Sequence, residues 1–120
     1  MLPAANVQLV HHGSLDAQQA VVSLLKGKSA PTAIFAHDDT LALGALRAAR
    51  ELGIGVPGDL AIVGFDDSEV ADAVDLTTVR QPFEQSGRAA AQLLVERLQS
   101  NSTVRKTITL GLELVVRGTS

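Results

Sequence analysis

Leu60-Ala61-Ile62-Val63-Gly64-Phe65-Asp66-Asp67 is the stretch whose reading decides the fold. From Leu60 to Gly64 no side chain is polar, which suits a strand covered on both faces in a parallel sheet. Two carboxylates follow at once. Strands of open α/β sheets deliver such side chains at their carboxyl ends, in the crevice where these sheets bind ligands. Asp66 and Asp67 therefore stand where recognition or chemistry is expected. The alternative is that one caps the next segment and the other is solvated.

Working outward, Pro57-Gly58-Asp59 makes the turn into this strand. Before it, Thr32-Ala33-Ile34-Phe35-Ala36 is a shorter apolar run tipped by His37-Asp38-Asp39, and either acid can cap the helix that follows. That helix has a stripe of Leu41, Ala42, Ala45, Ala48, Ala49 and Leu52 and closes at Gly53. Beside it lies a second stripe, Leu43, Leu46, Arg47 and Arg50, too apolar for a solvated face and too charged for a core. It reads as a subunit contact or as a widened core stripe with snorkelling arginines. Further upstream, Asn6 to Val10 alternates weakly as a first strand and His11-His12-Gly13 breaks it. Solvated loop histidines are favoured there over a metal site, because neighbouring rings diverge and no third ligand lies near. Ser14 is the expected N-cap of a helix carrying Ala17, Ala20, Val21, Leu24 and Leu25, with Gly27 as its left-handed end.

Downstream, Ser68 to Asp75 is an acidic loop or short helix, and Leu76 to Arg80 is a β-branched extended run. Pro82 opens a helix with the stripe Phe83, Gly87, Ala90, Ala91, Leu94 and Leu98, where Gly87 suggests close backbone packing. The polar break Ser100-Asn101-Ser102 follows, and Thr107 to Val116 reads as a long last strand. The order β-α-β-α-β with short connections implies right-handed crossovers. The fold class is α/β: a parallel, Rossmann-like three-layer sandwich in which Asp38, Asp39, Asp66 and Asp67 share one sheet edge.

Composition narrows the function. The chain has 120 residues, 46% of them hydrophobic, a net charge of −3 and no cysteine. One core is expected, thiolate metal sites are excluded, and the scattered basic residues give no nucleic-acid footprint. Met1 to Ala5 has neither a basic start nor an apolar run, and no stretch approaches the ~20 apolar residues of a membrane span, so a soluble, cytoplasmic protein is expected. Phe35, Phe65 and Phe83 are the whole aromatic complement, which leaves few rings for a ligand to stack on.

Four motifs in order make the chain recognisable: Pro31-Thr32-Ala33-Ile34-Phe35-Ala36-x-Asp38-Asp39-x-x-Ala42-Leu43-Gly44-Ala45; Val56-Pro57-x-Asp59-Leu60-x-Ile62-Val63-Gly64-Phe65-Asp66-Asp67; Leu76-Thr77-Thr78-Val79-Arg80-Gln81-Pro82; and Glu113 to Ser120. The combination closely resembles the lactose-repressor/galactose-repressor (LacI/GalR) family of bacterial transcription regulators. The resemblance implies one lobe of a type I periplasmic-binding-protein-like fold: residues 1–120 as the C-terminal lobe of the effector-binding core. A small molecule, most often a sugar or nucleobase, would sit between two lobes and alter the affinity of a separate DNA-binding head. No such head precedes Met1, so operator DNA would be bound only through a full-length protein. The 82–99 helix is expected to pack on the absent N-terminal lobe or on a partner chain, and otherwise to fold back or fray.

Position by position, the resemblance makes Asp66 the carboxylate that accepts from ligand hydroxyls. Asp38 falls where the family commonly has a ligand-touching Asn, and beside Asp66 one of the two acids would have to stay protonated unless a cation is present. Asp39 matches a helix-capping acid. Phe83 could line the cleft, and Gln81 lies at the hinge crossing. Leu43, Leu46 and Arg47, with Val70 to Val74, match the region through which the family's C-terminal lobes dimerise. Two departures from the family pattern are expected: His11-His12-Gly13 stands where a Gly-acid-aromatic triplet is common, which removes one stacking ring, and the clamping arginine of many members would lie upstream of this region. A one-lobed cleft would bind weakly for want of its opposite wall. The expected function is ligand-biased regulation, without catalysis, cofactor or metal. The alternatives are a solute-binding protein of the same fold and a Mg²⁺-dependent hydrolase using the Asp pairs, against which no nucleophile or phosphate loop is placed beside them.

Overall fold

The computed structural model describes residues 7–100 and 105–120. The deciding stretch forms β2 of a mixed sheet. β1 (Ala33–Phe35) runs parallel to β2 (Ala61–Val63), with Ile34 opposite Ile62. β3 (Thr78–Arg80) joins β2 through single parallel bridges, Val63 with Thr77 and Asp66 with Arg80. β4 (Glu113–Val115) is antiparallel to β3, beside the parallel pairing of the first three strands. The last strand is shorter than expected. Of Thr107 to Val116 only those three residues pair, because β3 ends at Arg80 and Pro82 has no N–H to extend the ladder.

The helices are α1 (Ser14–Leu25), α2 (Asp39–Leu52), α3 (Glu69–Ala73) and α4 (Phe83–Ser100). α2 follows the predicted pattern: Ala42, Ala45, Ala48 and Ala49 are buried, and Gly53 ends it in the left-handed region at φ 67°. Small residues let neighbours approach closely. A Cβ on Gly44 would lie 2.5 Å from the Ser14 carbonyl oxygen and 2.6 Å from the Ala17 Cβ, so the missing side chain is what seats α1 on α2. Leu60, Ile62 and Leu76 complete a core in which they are the large apolar side chains.

Several local expectations are corrected. Asn6 lies outside the described residues, and Val7 to Val10 form no strand; Leu9 is 94% exposed. Ser14 is the first residue of α1 rather than its cap. Gly13 precedes it, and the Ser14 hydroxyl accepts from Arg47 Nη1 at 3.0 Å instead. Lys26, in right-handed geometry, ends α1, so Gly27 is not the left-handed residue. In α4 no side chain is buried among the described residues, and the helix makes no substantial contact with the other elements. It neither folds back nor frays, and the molecule measures 59 × 30 × 23 Å. A Cβ on Gly87 would meet nothing within 4 Å, so the close packing expected there is absent. Of the polar break that follows, Asn101 and Ser102 lie outside the described residues.

Candidate functional site

Beyond the end of β2 the chain turns through two strained residues. Asp66 has φ 111° and Asp67 φ 56°, a region L-residues avoid at a cost of order 1–3 kcal/mol each. The Asp66 N–H donates to the Val79 carbonyl at 2.9 Å, and its carboxylate accepts from Gln81 Nε2 at 2.5 Å. Both residues line an open cleft of about 620 Å³, together with Phe83 and Arg88 from the start of α4. Phe83 is 58% exposed, whereas Phe35 and Phe65 pair edge-to-face with centroids 6.2 Å apart. A carboxylate, an amide and an open ring around one cleft can grip a polyhydroxylated molecule: the acid accepts from adjacent hydroxyls and the ring covers an apolar face.

Asp67 also lines the cleft, but its carboxylate is already engaged. Its oxygens accept from Arg117 Nη2 at 2.7 Å and Arg80 Nε at 2.6 Å, and its side chain is 10% exposed. Burial raises its pKa, but hydrogen bonds from Arg117 and Arg80, with their charges, more than offset this and hold the carboxyl below its ordinary value. The Arg80 guanidinium is correspondingly raised, first by its hydrogen bond to Asp67.

The structure separates the predicted site residues. Asp66, Gln81 and Phe83 come together. Asp38 does not line their cleft: Oδ1 accepts from the Leu41 N–H at 2.8 Å as the N-cap of α2, and Oδ2 lies 3.1 Å from His12 Nε2. Each acid has its own donor, the Leu41 N–H for Asp38 and Gln81 Nε2 for Asp66. Nor is Asp39 the cap. It is 1% exposed, accepting from Thr78 Oγ1 at 2.6 Å and the Ser68 N–H at 2.7 Å. Two consecutive acids fit either reading in sequence; helix phase gives the first to the cap and turns the second inward.

Sequence reasoning gave Arg117 no role beyond membership of the last motif, and read His12 as a solvated loop residue without its Asp38 partner. Arg117 touches the site only through Asp67, a partner 50 residues away, and no local pattern signals such a pair. Of the residues matched to a subunit contact, Leu46 and Val74 pack against the core, Leu43 and Val70 are half-buried, and exposed Arg47 reaches Ser14. Among the described residues no three His, Cys, Asp or Glu side chains are grouped to hold a metal, and no helix is long and apolar enough to cross a membrane.

Residues 3–120 match the periplasmic binding protein-like domain family. The chain belongs to that family. Its homologues are LacI-family transcription regulators, as the motifs implied. It is 42% identical over 117 residues to the HTH-type transcriptional regulator MalR of Streptomyces coelicolor, covering 94% of this chain and 34% of MalR. It superposes on the transcriptional regulator CelR in complex with cellobiose at TM-score 0.88 and 35% identity, covering all of this chain and 38% of that one. On a LacI-family regulator from Enterococcus faecium with bound ribose the values are 0.79 and 29%, covering 92% and 41%. The chain thus spans about a third of the length of the curated relatives it matches.

Proposed function

We propose that this chain is the C-terminal lobe of the effector-binding core of a ligand-responsive, cytoplasmic bacterial transcription regulator, and that its effector is a small polar molecule of the sugar class. The observation carrying the reading is the Asp66 carboxylate at the carboxyl end of β2, set with Gln81 and Phe83 around one open cleft. Cellobiose and ribose in similar proteins support the sugar class. Asp66 accepts from two adjacent hydroxyls, Gln81 supplies a donor and an acceptor, and Phe83 lies on the ring. Asp38, held as a helix cap, contributes at most its His12-facing oxygen at the rim. The remainder of a full-length protein would supply the facing wall, exclude water and bind operator DNA. Binding biases closure of the two lobes and involves no bond-making step. Self-association through Leu43, Leu46, Arg47, Val70 and Val74 would make the regulator a homodimer. A Mg²⁺ hydrolase is disfavoured, because both Asp67 oxygens already accept from guanidiniums.

The test is calorimetric titration of the natural full-length protein with cellobiose, ribose and related sugars, and with nucleosides. A sugar that binds wild type and loses at least about tenfold in affinity in Asp66→Asn supports the reading, since a charged hydrogen bond is worth about 1.5–3 kcal/mol. Sugar affinity unchanged by that substitution overturns it.

A further inference from the structure

We propose that Arg117 is a positioning residue for the effector cleft, acting through Asp67 to hold the strained backbone that presents Asp66. The inference rests on the reading of that cleft as the effector site. Arg117 does not line the cleft. What it touches is the turn that shapes it.

Asp66 and Asp67 both have positive φ, and neither is glycine, so the turn persists only if its surroundings hold it. Five attachments do so: the Asp66 N–H on the Val79 carbonyl, the Asp66 carboxylate on Gln81 Nε2, the Asp67 N–H on Thr78 Oγ1 at 3.4 Å, and the two guanidiniums on the Asp67 carboxylate. The guanidiniums are not equivalent. The Arg80 side chain is 48% exposed and divides itself between Asp67 and Glu113, 2.9 Å away. Arg117 is 16% exposed; its Nη1 donates to the Leu76 carbonyl at 2.9 Å, and its backbone N–H donates to Thr77 Oγ1 at 2.8 Å. The next residues are anchored too, since Thr119 Oγ1 donates to the Ile62 carbonyl at 2.7 Å and accepts from the Thr77 N–H at 2.9 Å. Asp72 lies 3.8 Å from Arg117 but is 86% exposed and supplies little restraint. Arg117 is therefore the stiff side of the clamp and Arg80 the loose one. Without Arg117, the Asp67 carboxylate is left with one mobile partner and only the long N–H bond to Thr78 Oγ1 still holds its backbone, so the turn relaxes toward ordinary φ and Asp66 moves away from Gln81 and Phe83.

The experiment compares wild type, Arg117→Met, Arg117→Lys and Arg80→Met in the natural full-length protein by amide hydrogen exchange, urea unfolding and cellobiose titration. In Arg117→Met, exchange at Asp66, Asp67 and Ser68 should rise at least tenfold while Ala61 and Ala36, whose N–H groups donate to Thr32 and Val63, stay within threefold. Arg117→Lys, which keeps a charge beside Asp67, should recover most of the protection, and Arg80→Met should lose less than Arg117→Met. Should Arg117→Met fail to fold, Asp67→Asn reads the same exchange. Unchanged exchange at the turn, or a rise matched at Ala61 and Ala36, overturns the inference whatever the titration shows, because a merely structural arginine would loosen the whole core. Cellobiose affinity falling with turn protection supports both proposals. A turn that responds as expected in a protein whose sugar affinity is indifferent to Asp66→Asn supports the positioning role and overturns the effector reading alone.

Discussion

The Thr78 hydroxyl donates to Asp39 Oδ1 across 2.6 Å, joining two residues 39 positions apart, both at least 99% buried. The other Asp39 oxygen accepts from the Ser68 N–H, so one carboxylate ties α2 to β3 and to the start of α3. Asp39→Ala leaves both donors unpaired in the interior and opens a small cavity, with an expected loss of about 2–4 kcal/mol in urea unfolding. Thr78→Val removes one donor and keeps the shape, and is expected to cost less, about 1–2 kcal/mol.

Gly44 and Gly87 should respond with opposite signs. A side chain on Gly44 meets the α1 backbone, so Gly44→Val forces the two helices apart at an expected cost of about 1–3 kcal/mol. A methyl on Gly87 meets nothing, and Gly87→Ala should gain up to about 1 kcal/mol from helix propensity alone. Paired thermal and urea melts check both. A loss at Gly87 would mean that something covers that face of α4.

What the sequence revealed depended on how local its cause was. The strand of the opening motif, the alanine stripe of α2 and the glycine that ends it follow from periodicity and backbone chemistry within a few residues. The choice between Asp38 and Asp39 as the cap depended on helix phase, which propensity does not set. Ser14 scored as a cap and instead met Arg47, a residue 33 positions on. The last strand read long because Thr107 to Val116 is rich in strand formers, but β3 offers it only three partners. Asp66 and Gln81 stood out in the sequence because they sit in family motifs, and the fold brings them to one cleft with Phe83. The Arg117 clamp did not, since its meaning lies in a contact made only once the chain is folded.

The ion pairs on Asp67 set a pH dependence with a definite sign. Its folded pKa lies below the unfolded one, so the stabilisation is complete above the unfolded value of about 3.9 and is lost as pH falls through the folded value. The difference in unfolding free energy between wild type and Asp67→Asn should therefore be flat from about pH 5 to 8 and shrink below about pH 4. Urea titrations at a series of pH values measure it. A difference that persists undiminished in acid would show that shape rather than charge gives Asp67 its value.

The apolar stripe of α4 makes the last prediction. Leu94 is 60% exposed and Leu98 73%, on a helix with no buried side chain among the described residues, so replacing them removes no internal packing. The double variant Leu94→Glu, Leu98→Glu should leave the urea midpoint of the 120-residue chain nearly unchanged, since exposed substitutions stay within about 0.5 kcal/mol per site. It should also reduce any self-association, because an exposed apolar stripe drives chains together. Sedimentation velocity reads the second effect and urea the first. A marked loss of stability would mean that α4 is covered by its own chain in solution. Association that survives the two glutamates would place the contact elsewhere, with the half-buried Leu43 and Val70 the next residues to change.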